Sequence, residues 1–275
     1  MSAPRRVPPV PAVLRLVQSV VLERWRSTGE DLYREVSRLV EARPGHEIIV
    51  SGCGEGVTTE WLASHTGAAV TGVDPDRERI EQAEARARAL ATPVHLSYQA
   101  APLDDLPHET GVFEAAIGEP VLAAAGDPEK AVHELVRVTR PMGAVVLMQL
   151  TWSSELKGEA RELLVERMGL RPHLLVEWKQ MMRDAGVVDV HVQDWTQGCP
   201  GAPGRASGSF EAAKIPQLSW QHKMQIVARA WRKSGLRSGA EAVERETTLL
   251  RELSRERAIG FQVIKGVKWP HSTSA

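Results

Sequence analysis

Two apolar segments place the strongest constraint on the fold. Each is followed by a residue pattern that occurs in few kinds of structure. Glu47–Ser51 leads into Gly52-Cys53-Gly54-Glu55-Gly56, and residues 70–73 lead into Asp74. Glycine has no Cβ, so the backbone of such a turn can approach a ligand closely. An acid after the second segment can accept hydrogen bonds from both hydroxyls of a ribose. This layout is typical of an α/β domain that binds a nucleoside.

Strand patterns alternate with helical patterns along most of the chain, which predicts a parallel sheet with helices on both faces. The predicted strands are 47–51, 68–73, 94–98, 113–118, 144–149, 187–194 and 261–267. The predicted helices are 10–25, 30–42, 57–64, 76–91, 127–139, 156–168 and 174–185.

The pattern predicts three regions. Residues 1–43 form N-terminal helices, and residues 44–197 with 258–269 form the nucleoside-binding domain. Residues 198–257 form a helical insertion that is too short for a good core of its own. We expect the insertion to dock as a cap or to pair with a second copy, which would make a homodimer.

Composition argues against several classes of partner. The chain has 34 Lys and Arg against 35 Asp and Glu, so no overall field attracts nucleic acid or an anionic membrane. Cys53 and Cys199 form no CxxC pair, so we expect neither a disulfide framework nor a metal site. No segment is long and apolar enough to span a membrane, and prolines interrupt the apolar N-terminus. A cytoplasmic location is therefore expected.

Five motifs follow one another along the chain. They are 48–56, Val73-Asp74-Pro75, Asp105-Leu106-Pro107, 113–117, and Asp127-Pro128 followed by Arg140-Pro141-Met142-Gly143. In this order they resemble the motifs of the class I S-adenosylmethionine-dependent methyltransferases, in the subgroup that includes the quinone and sarcosine enzymes. The resemblance implies a Rossmann-like, seven-stranded, mostly parallel sheet whose last strand is antiparallel, with N-terminal helices and a helical insertion between strands six and seven. It also implies S-adenosyl-L-methionine as cofactor and a small-molecule acceptor.

The resemblance also implies which residues bind the cofactor. The turn at Gly52, Cys53, Gly54 and Gly56 would lie under its methionine part, although a plain strand-to-helix turn is the alternative. Asp74 would accept from the ribose hydroxyls, and Pro75 would pack near the adenine. A helix N-cap is the alternative role for Asp74. The spacing GxGxG, in place of GxGxxG, suits a nucleoside that carries no pyrophosphate.

The chain departs from the family pattern at two places. Many members carry an acid where this chain has Val50, and many have an Asp after the third strand that reaches the adenine amine. Here Ala100 and Ala101 occupy that place. We expect Ala101 to line the adenine site. Either Asp104 or Asp105 supplies the missing contact from a shifted loop, or the contact is lost.

Glu119 follows the fourth strand and is the candidate catalytic residue. Ligands of open α/β sheets lie outside the carboxyl ends of the strands, so we expect Glu119 to lie close to the transferable methyl or the acceptor. It could orient an amine, act as a base, favour the sulfonium, or simply be an exposed loop acid. The predicted function is methyl transfer. The alternatives are a scaffold with a weakened cofactor site and an enzyme that uses the cofactor without transferring its methyl group.

Overall fold

The computed structural model describes residues 30–90, 94–152, 171–195 and 259–270, with single positions at 158, 161, 162 and 165. The predicted helix 10–25 lies outside the described residues, as does the insertion 198–257. Most of the predicted helix 156–168 also lies outside them. The described residues divide into two compact units, and the larger comprises Tyr33–Thr151, Pro172–Gln193 and the last strand from Phe261 onward. The predicted domain boundaries stay a prediction.

The larger unit contains the elements that build the candidate site. Helices are α1 (Glu30–Leu39), α2 (Val57–Thr66), α3 (Arg77–Arg88), α4 (Pro128–Val138) and α5 (Leu175–Asp184), with a 3₁₀ turn at Pro120–Ala124. Strands are β1 (Glu47–Ser51), β2 (Ala69–Asp74), β3 (Leu96–Ala100), β4 (Phe113–Gly118), β5 (Thr139–Trp152), β6 (His173–Leu174), β7 (Val187–Asp194) and β8 (Ile259–Lys268).

The sheet has the order β3-β2-β1-β4-β5-β8-β7, and the short β6 pairs with β5 outside this path. Strands β1 to β5 run parallel to one another. The last strand runs the other way, because Trp269, just past its end, donates to Gly186, just before β7 begins. Lys268 likewise reaches the carbonyl of Thr139, where β5 begins. The α/β sheet, mostly parallel, is confirmed.

The strand order reverses direction between β1 and β4, which lie side by side in the sheet. Right-handed crossovers then place α2 and α3 on one face and α4 on the other. The connections that follow the carboxyl ends of β1 and β4 therefore separate at this point. In folds of this kind, the crevice at such a reversal is where ligands bind.

Local sequence explains why the helices begin where they do. Asp127 is the N-cap of α4 and accepts a hydrogen bond from the amide of Lys130 at 3.0 Å, while Pro128 occupies the first helical position. The apolar face of α4 is buried over β4, with Leu135 fully buried. Burying one such side chain contributes about 1.5–3 kcal/mol.

Three strands have the predicted bounds, namely β1, β4 and β7. The bounds of β2, β3 and β8 differ from the prediction by one or two residues, and two features differ more. Strand β5 begins at Thr139 and not at residue 144, because Thr139 pairs with Phe113 across a register shift in β4. The two-residue strand β6 was not predicted, since two residues carry no periodic signal.

Candidate functional site

The glycine-rich turn after β1 uses its own amides to hold its shape. Its three glycines, Gly52, Gly54 and Gly56, have φ values of 77°, 56° and 80°. Residues that carry a Cβ rarely adopt backbone angles in this region. The amides of Gly52 and Cys53 both donate to the carbonyl of Val73, at 2.7 and 3.1 Å. A pyrophosphate cradle needs amides that point at the ligand. This turn therefore suits a ligand without phosphate at that place.

Asp74, the last residue of β2, ties the turn to the next helix. Its Oδ2 accepts the amide of Gly54 at 2.9 Å, and its Oδ1 accepts the amide of Asp76 at 2.9 Å. The side chain is 1% exposed, and burial raises the pKa of its carboxyl above the ordinary value against the lowering effect of these bonds. The N-cap of α3 is Asp76, which accepts from Glu78. The alternative role for Asp74, a helix cap, is therefore wrong.

The three glycines meet different surroundings. A Cβ on Gly56 would lie 2.6 Å from the hydroxyl of Tyr98, so packing inside the protein already requires glycine there. A Cβ on Gly52 would lie 3.2 Å from the Cβ of Val121. A Cβ on Gly54 would meet, among the described residues, only the Nη1 atom of Arg79, at 3.6 Å. Among the described residues, Gly54 is thus the glycine of the turn with the most room beside its backbone.

Tyr98 was missed by the sequence analysis, and one signal could have found it. Its ring also fills the space that a Cβ on Gly72 would take, at 2.7 Å. An isolated glycine inside a strand often marks such a close approach. Burial raises the pKa of Tyr98 to about 12, and its neutral hydroxyl shares a hydrogen bond with Thr59 at 2.8 Å.

The other predicted cofactor residues lie around Asp74. Cys53 is fully buried, and its sulfur would lie 2.8 Å from a Cβ on Gly72, so its side chain points into the protein. Pro75 is exposed directly after Asp74. The amide of Ala101 donates to the carbonyl of Asp74 at 3.2 Å, which brings the loop after β3 beside the turn.

The two acids that could replace the missing adenine contact lie elsewhere on this loop. The Oδ2 atom of Asp104 lies 3.3 Å from the position of a Cβ on Gly126. Asp105 is exposed, and its charge acts on Arg137. Val50, where many relatives carry an acid, is fully buried in β1. Among the described residues, no hydrogen bond joins either acid to Asp74 or to the turn.

Glu119 is fully buried at the carboxyl end of β4, so the exposed-loop alternative is wrong. Its amide donates to the carbonyl of Ser51 at 2.9 Å, which holds it against the end of β1. Its Oε1 accepts the hydroxyl of Thr58, in the first turn of α2, at 2.5 Å. The structure thus brings Glu119 next to the glycine turn, and its Cβ would lie 3.5 Å from a Cβ on Gly52.

Gln149 braces this arrangement from β5. Its Nε2 donates to the carbonyls of Gly118 and Glu119, at 3.1 and 2.8 Å, and the side chain is fully buried. Two carbonyl partners fix the orientation of the amide, because only its nitrogen can donate. The connection after β4 is therefore held from β1, α2 and β5.

Within the described stretches, no three or more His, Cys, Asp or Glu side chains come together in a way that could hold a metal ion. Over the same stretches, none of the helices has the length and apolar character needed to cross a bilayer.

Comparison with known proteins shows which proteins this chain resembles. Residues 49–147 match the family model described as a methyltransferase domain. The methyltransferase GfsG of Streptomyces halstedii is 27% identical over 122 residues, which make up 44% of this chain and 44% of that protein. The chain spans about half, or less, of the length of the curated relatives it matches.

Solved structures agree on the fold. A phosphoethanolamine N-methyltransferase of Haemonchus contortus, solved with S-adenosylhomocysteine, superposes with a TM-score of 0.66 at 15% identity, over 88% of this chain and 53% of that one. The cyclase SpnF, described as a 4+2 cyclase, superposes with a TM-score of 0.64 at 17% identity, over 89% and 82% of the two chains. At these identities the likeness is one of fold.

The residues present fit an adenosyl sulfonium cofactor on two observations. The bare backbone of Gly54 leaves a cradle that a Cβ would partly fill. Each oxygen of Asp74 accepts one backbone amide and keeps a lone pair for a hydroxyl. Residues 49–147 thus resemble a methyltransferase domain, and the sheet described above shares its fold with solved methyltransferases.

Proposed function

We propose that this chain transfers a methyl group from S-adenosylmethionine to a small-molecule acceptor. When bound, that cofactor supplies an electrophilic methyl on a sulfonium, whose sulfur leaves as a neutral thioether. The chain's own residues bind, orient and enclose the reacting groups, which is the usual division of labour in a cofactor enzyme.

The contact between Asp74 and Gly54 is the observation that supports this proposal most. A carboxylate offers about four acceptor positions, and backbone amides take two of them here. The remaining two suit the two hydroxyls of a ribose. Because the amides of Gly52 and Cys53 are already used, the same turn is a poor site for a dinucleotide. Gly52, Cys53, Gly54 and Gly56 would then form the floor of the site, with Pro75 and Ala101 beside the adenine.

Glu119 is our candidate for the residue at the reacting end, both as a cofactor contact and as a catalytic group. Its carboxyl group would orient the acceptor or take a proton from it. Holding donor and acceptor in line can by itself remove up to about 7–11 kcal/mol of a barrier. A base is therefore needed only for an acceptor that is protonated at neutral pH. Thr58 would keep the Glu119 carboxyl group in place.

A second candidate is an enzyme that binds the cofactor without transferring its methyl group. The fold it shares with the cyclase SpnF favours this alternative, since a fold can host more than one chemistry.

Three further expectations stay predictions. A net charge of −1 argues against a nucleic-acid substrate. A homodimer through the insertion rests on residues 198–257, which lie outside the described part of the chain. The cytoplasmic location rests on the sequence.

Calorimetric titration with S-adenosylmethionine tests cofactor binding. We expect heat and a rise in the unfolding temperature, because a ligand that binds only the folded state stabilises it. Absence of both at millimolar cofactor would defeat the proposal. The second step offers fractions of small-molecule extract and follows the conversion of S-adenosylmethionine to S-adenosylhomocysteine. Tight binding with no conversion in any fraction would favour the second candidate.

A further inference from the structure

One arginine of α3 lies beside the open side of the glycine turn. The Nη1 atom of Arg79 is 3.6 Å from the position that a Cβ on Gly54 would occupy. Arg79 is the third residue of α3, which begins just after Asp74, and its side chain is only partly exposed. The helix therefore carries this guanidinium to the edge of the cofactor cradle.

Two of the other three arginines of the same helix have partners within the protein. Arg86 pairs with Glu60 at 3.0 Å, and Arg88 pairs with Glu84 at 3.4 Å. The side chain of Arg79 has no hydrogen bond or ion pair with any residue that the structure describes. Its five donors are thus available at the place where Gly54 leaves room.

Asp74 borders the same place. Its Oδ2 accepts the amide of Gly54 at 2.9 Å, so carboxylate, bare backbone and guanidinium are neighbours. The positive charge of Arg79 also acts on Asp74, where it lowers the pKa of the carboxyl in opposition to burial. An acceptor-only group and a donor-only group therefore border one opening.

This pairing is complementary to a vicinal diol. Each hydroxyl of a ribose both donates and accepts, so its hydrogens can go to the carboxylate and its oxygen lone pairs can take N–H groups from a guanidinium. We propose that Arg79 is a second ribose-binding residue, whose guanidinium donates to the diol oxygens while Asp74 accepts from the diol hydroxyls. This inference rests on the proposed function, because it takes the adenosyl cofactor as the ligand.

A simpler role would be that of a counter-ion that only keeps Asp74 ionised. In that case, removing the guanidinium weakens every nucleoside ligand equally. If Arg79 touches the diol, removing it weakens only ligands that have the diol. Comparing a ligand that has the diol with one that lacks it therefore separates the two roles.

The experiment measures binding by calorimetry for two ligands, S-adenosylhomocysteine and its 2′,3′-dideoxy analogue. The proteins are the wild type, Arg79→Gln, Arg79→Lys and the control Arg77→Gln, which changes an exposed arginine of the same helix turn. Circular dichroism and thermal unfolding check that each variant is folded.

We expect Arg79→Gln to weaken S-adenosylhomocysteine by about ten- to a hundredfold, as for lost hydrogen bonds from a charged donor, and to change the dideoxy analogue by about twofold or less. Arg79→Lys should fall between, since it keeps the charge and loses the planar fork. Arg77→Gln should bind as the wild type does.

An equal loss for both ligands, or no loss for either, would overturn the assignment of Arg79. A wild type that binds neither ligand would instead overturn the proposed function, and the assignment would fall with it. The two failures are distinguishable because one lies in the variant and the other in the unaltered protein.

Discussion

The side chain of Asp74 accepts a hydrogen bond at 2.9 Å from the backbone amide of Gly54, which lies 20 residues earlier in the sequence. The bond links the end of β2 to the turn that follows β1. Because Asp74 is only 1% exposed, the bond acts in surroundings of low dielectric, where hydrogen bonds are stronger. The carboxylate is therefore part of the structure of the turn as well as a candidate ligand group.

We expect Asp74→Asn to lower both stability and cofactor affinity. The amide group keeps one acceptor and turns a nitrogen toward the other backbone N–H, which is left buried and unsatisfied at a cost of about 1–3 kcal/mol. Urea unfolding and calorimetry with S-adenosylhomocysteine measure the two effects. The control is Asp76→Asn, because asparagine caps a helix as well as aspartate. Equal stability of the two variants would contradict the structural role of Asp74.

Gly56→Ala should cost more than Gly45→Ala, although both glycines have similar positive φ values, 80° and 85°. A Cβ at Gly45 meets nothing within 4 Å, so this change reports only the left-handed backbone, at about 1–2 kcal/mol. At Gly56 the Cβ would also collide with the hydroxyl of Tyr98. Chemical unfolding of both variants gives the difference.

A double-mutant cycle with Tyr98→Phe tests the source of that difference. The phenyl ring lacks the oxygen at 2.6 Å, while its ring carbon at 2.9 Å remains, so we expect partial relief of the cost of Gly56→Ala. Strict additivity of the two changes would argue that Tyr98 is not what requires glycine there.

Thr58→Val should destabilise the protein by about 1–3 kcal/mol, because a buried carboxyl oxygen of Glu119 loses its hydroxyl donor without a change of shape. The matched control is Thr66→Val in the same helix, where the lost hydroxyl donates to the carbonyl of Leu62 and accepts from the amide of Ala68, both in a part-buried place. Thermal unfolding compares them, and the change at Thr66 should be the smaller. If the two changes cost the same, the contact between Thr58 and Glu119 adds little.

Stability should depend on pH through Glu134. The hydrogen bond from Arg137 holds the pKa of Glu134 below its ordinary value. A lowered folded pKa adds stability above the unfolded pKa, about 4.3 for glutamate, and this stability is lost as the pH falls through the folded value. The gap in free energy of unfolding between the wild type and Glu134→Gln should therefore be present at neutral pH and shrink below about pH 4. The pair is partly exposed, so we expect a gap below about 1 kcal/mol.

The exposed Glu129, also on α4, provides the control for this prediction. Unfolding of Glu129→Gln followed over the same pH range should leave a much smaller gap. A gap for Glu134→Gln that persists unchanged at low pH would rule out the linkage to Arg137.

Much of the fold could be predicted because its strands are apolar runs with clear ends. Strands β1 and β4 are buried segments closed by glycine, and their bounds agree with the prediction. The start of β5 could not be predicted in this way. Arg140-Pro141-Met142-Gly143 has the composition of a turn, yet these residues belong to the strand because Thr139 pairs with Phe113. Tertiary pairing outweighed local propensity there.

The candidate site was predictable where motif and strand end coincide, as at Gly54 and Asp74. Sequence could not tell that Asp76, and not Asp74, caps α3, since both are good capping residues two positions apart. Thr58, Tyr98 and Arg79 were missed for a different reason. Their roles depend on partners in other elements, and only the folded sheet brings those elements together.

The carbonyl of Val73 accepts two amides of the glycine turn, and these bonds affect how tightly a ligand can bind. These two bonds lie within the protein, so the form of the bend does not depend on an arriving nucleoside. Little backbone entropy is lost at this spot on association, and more of the contact energy remains as net affinity.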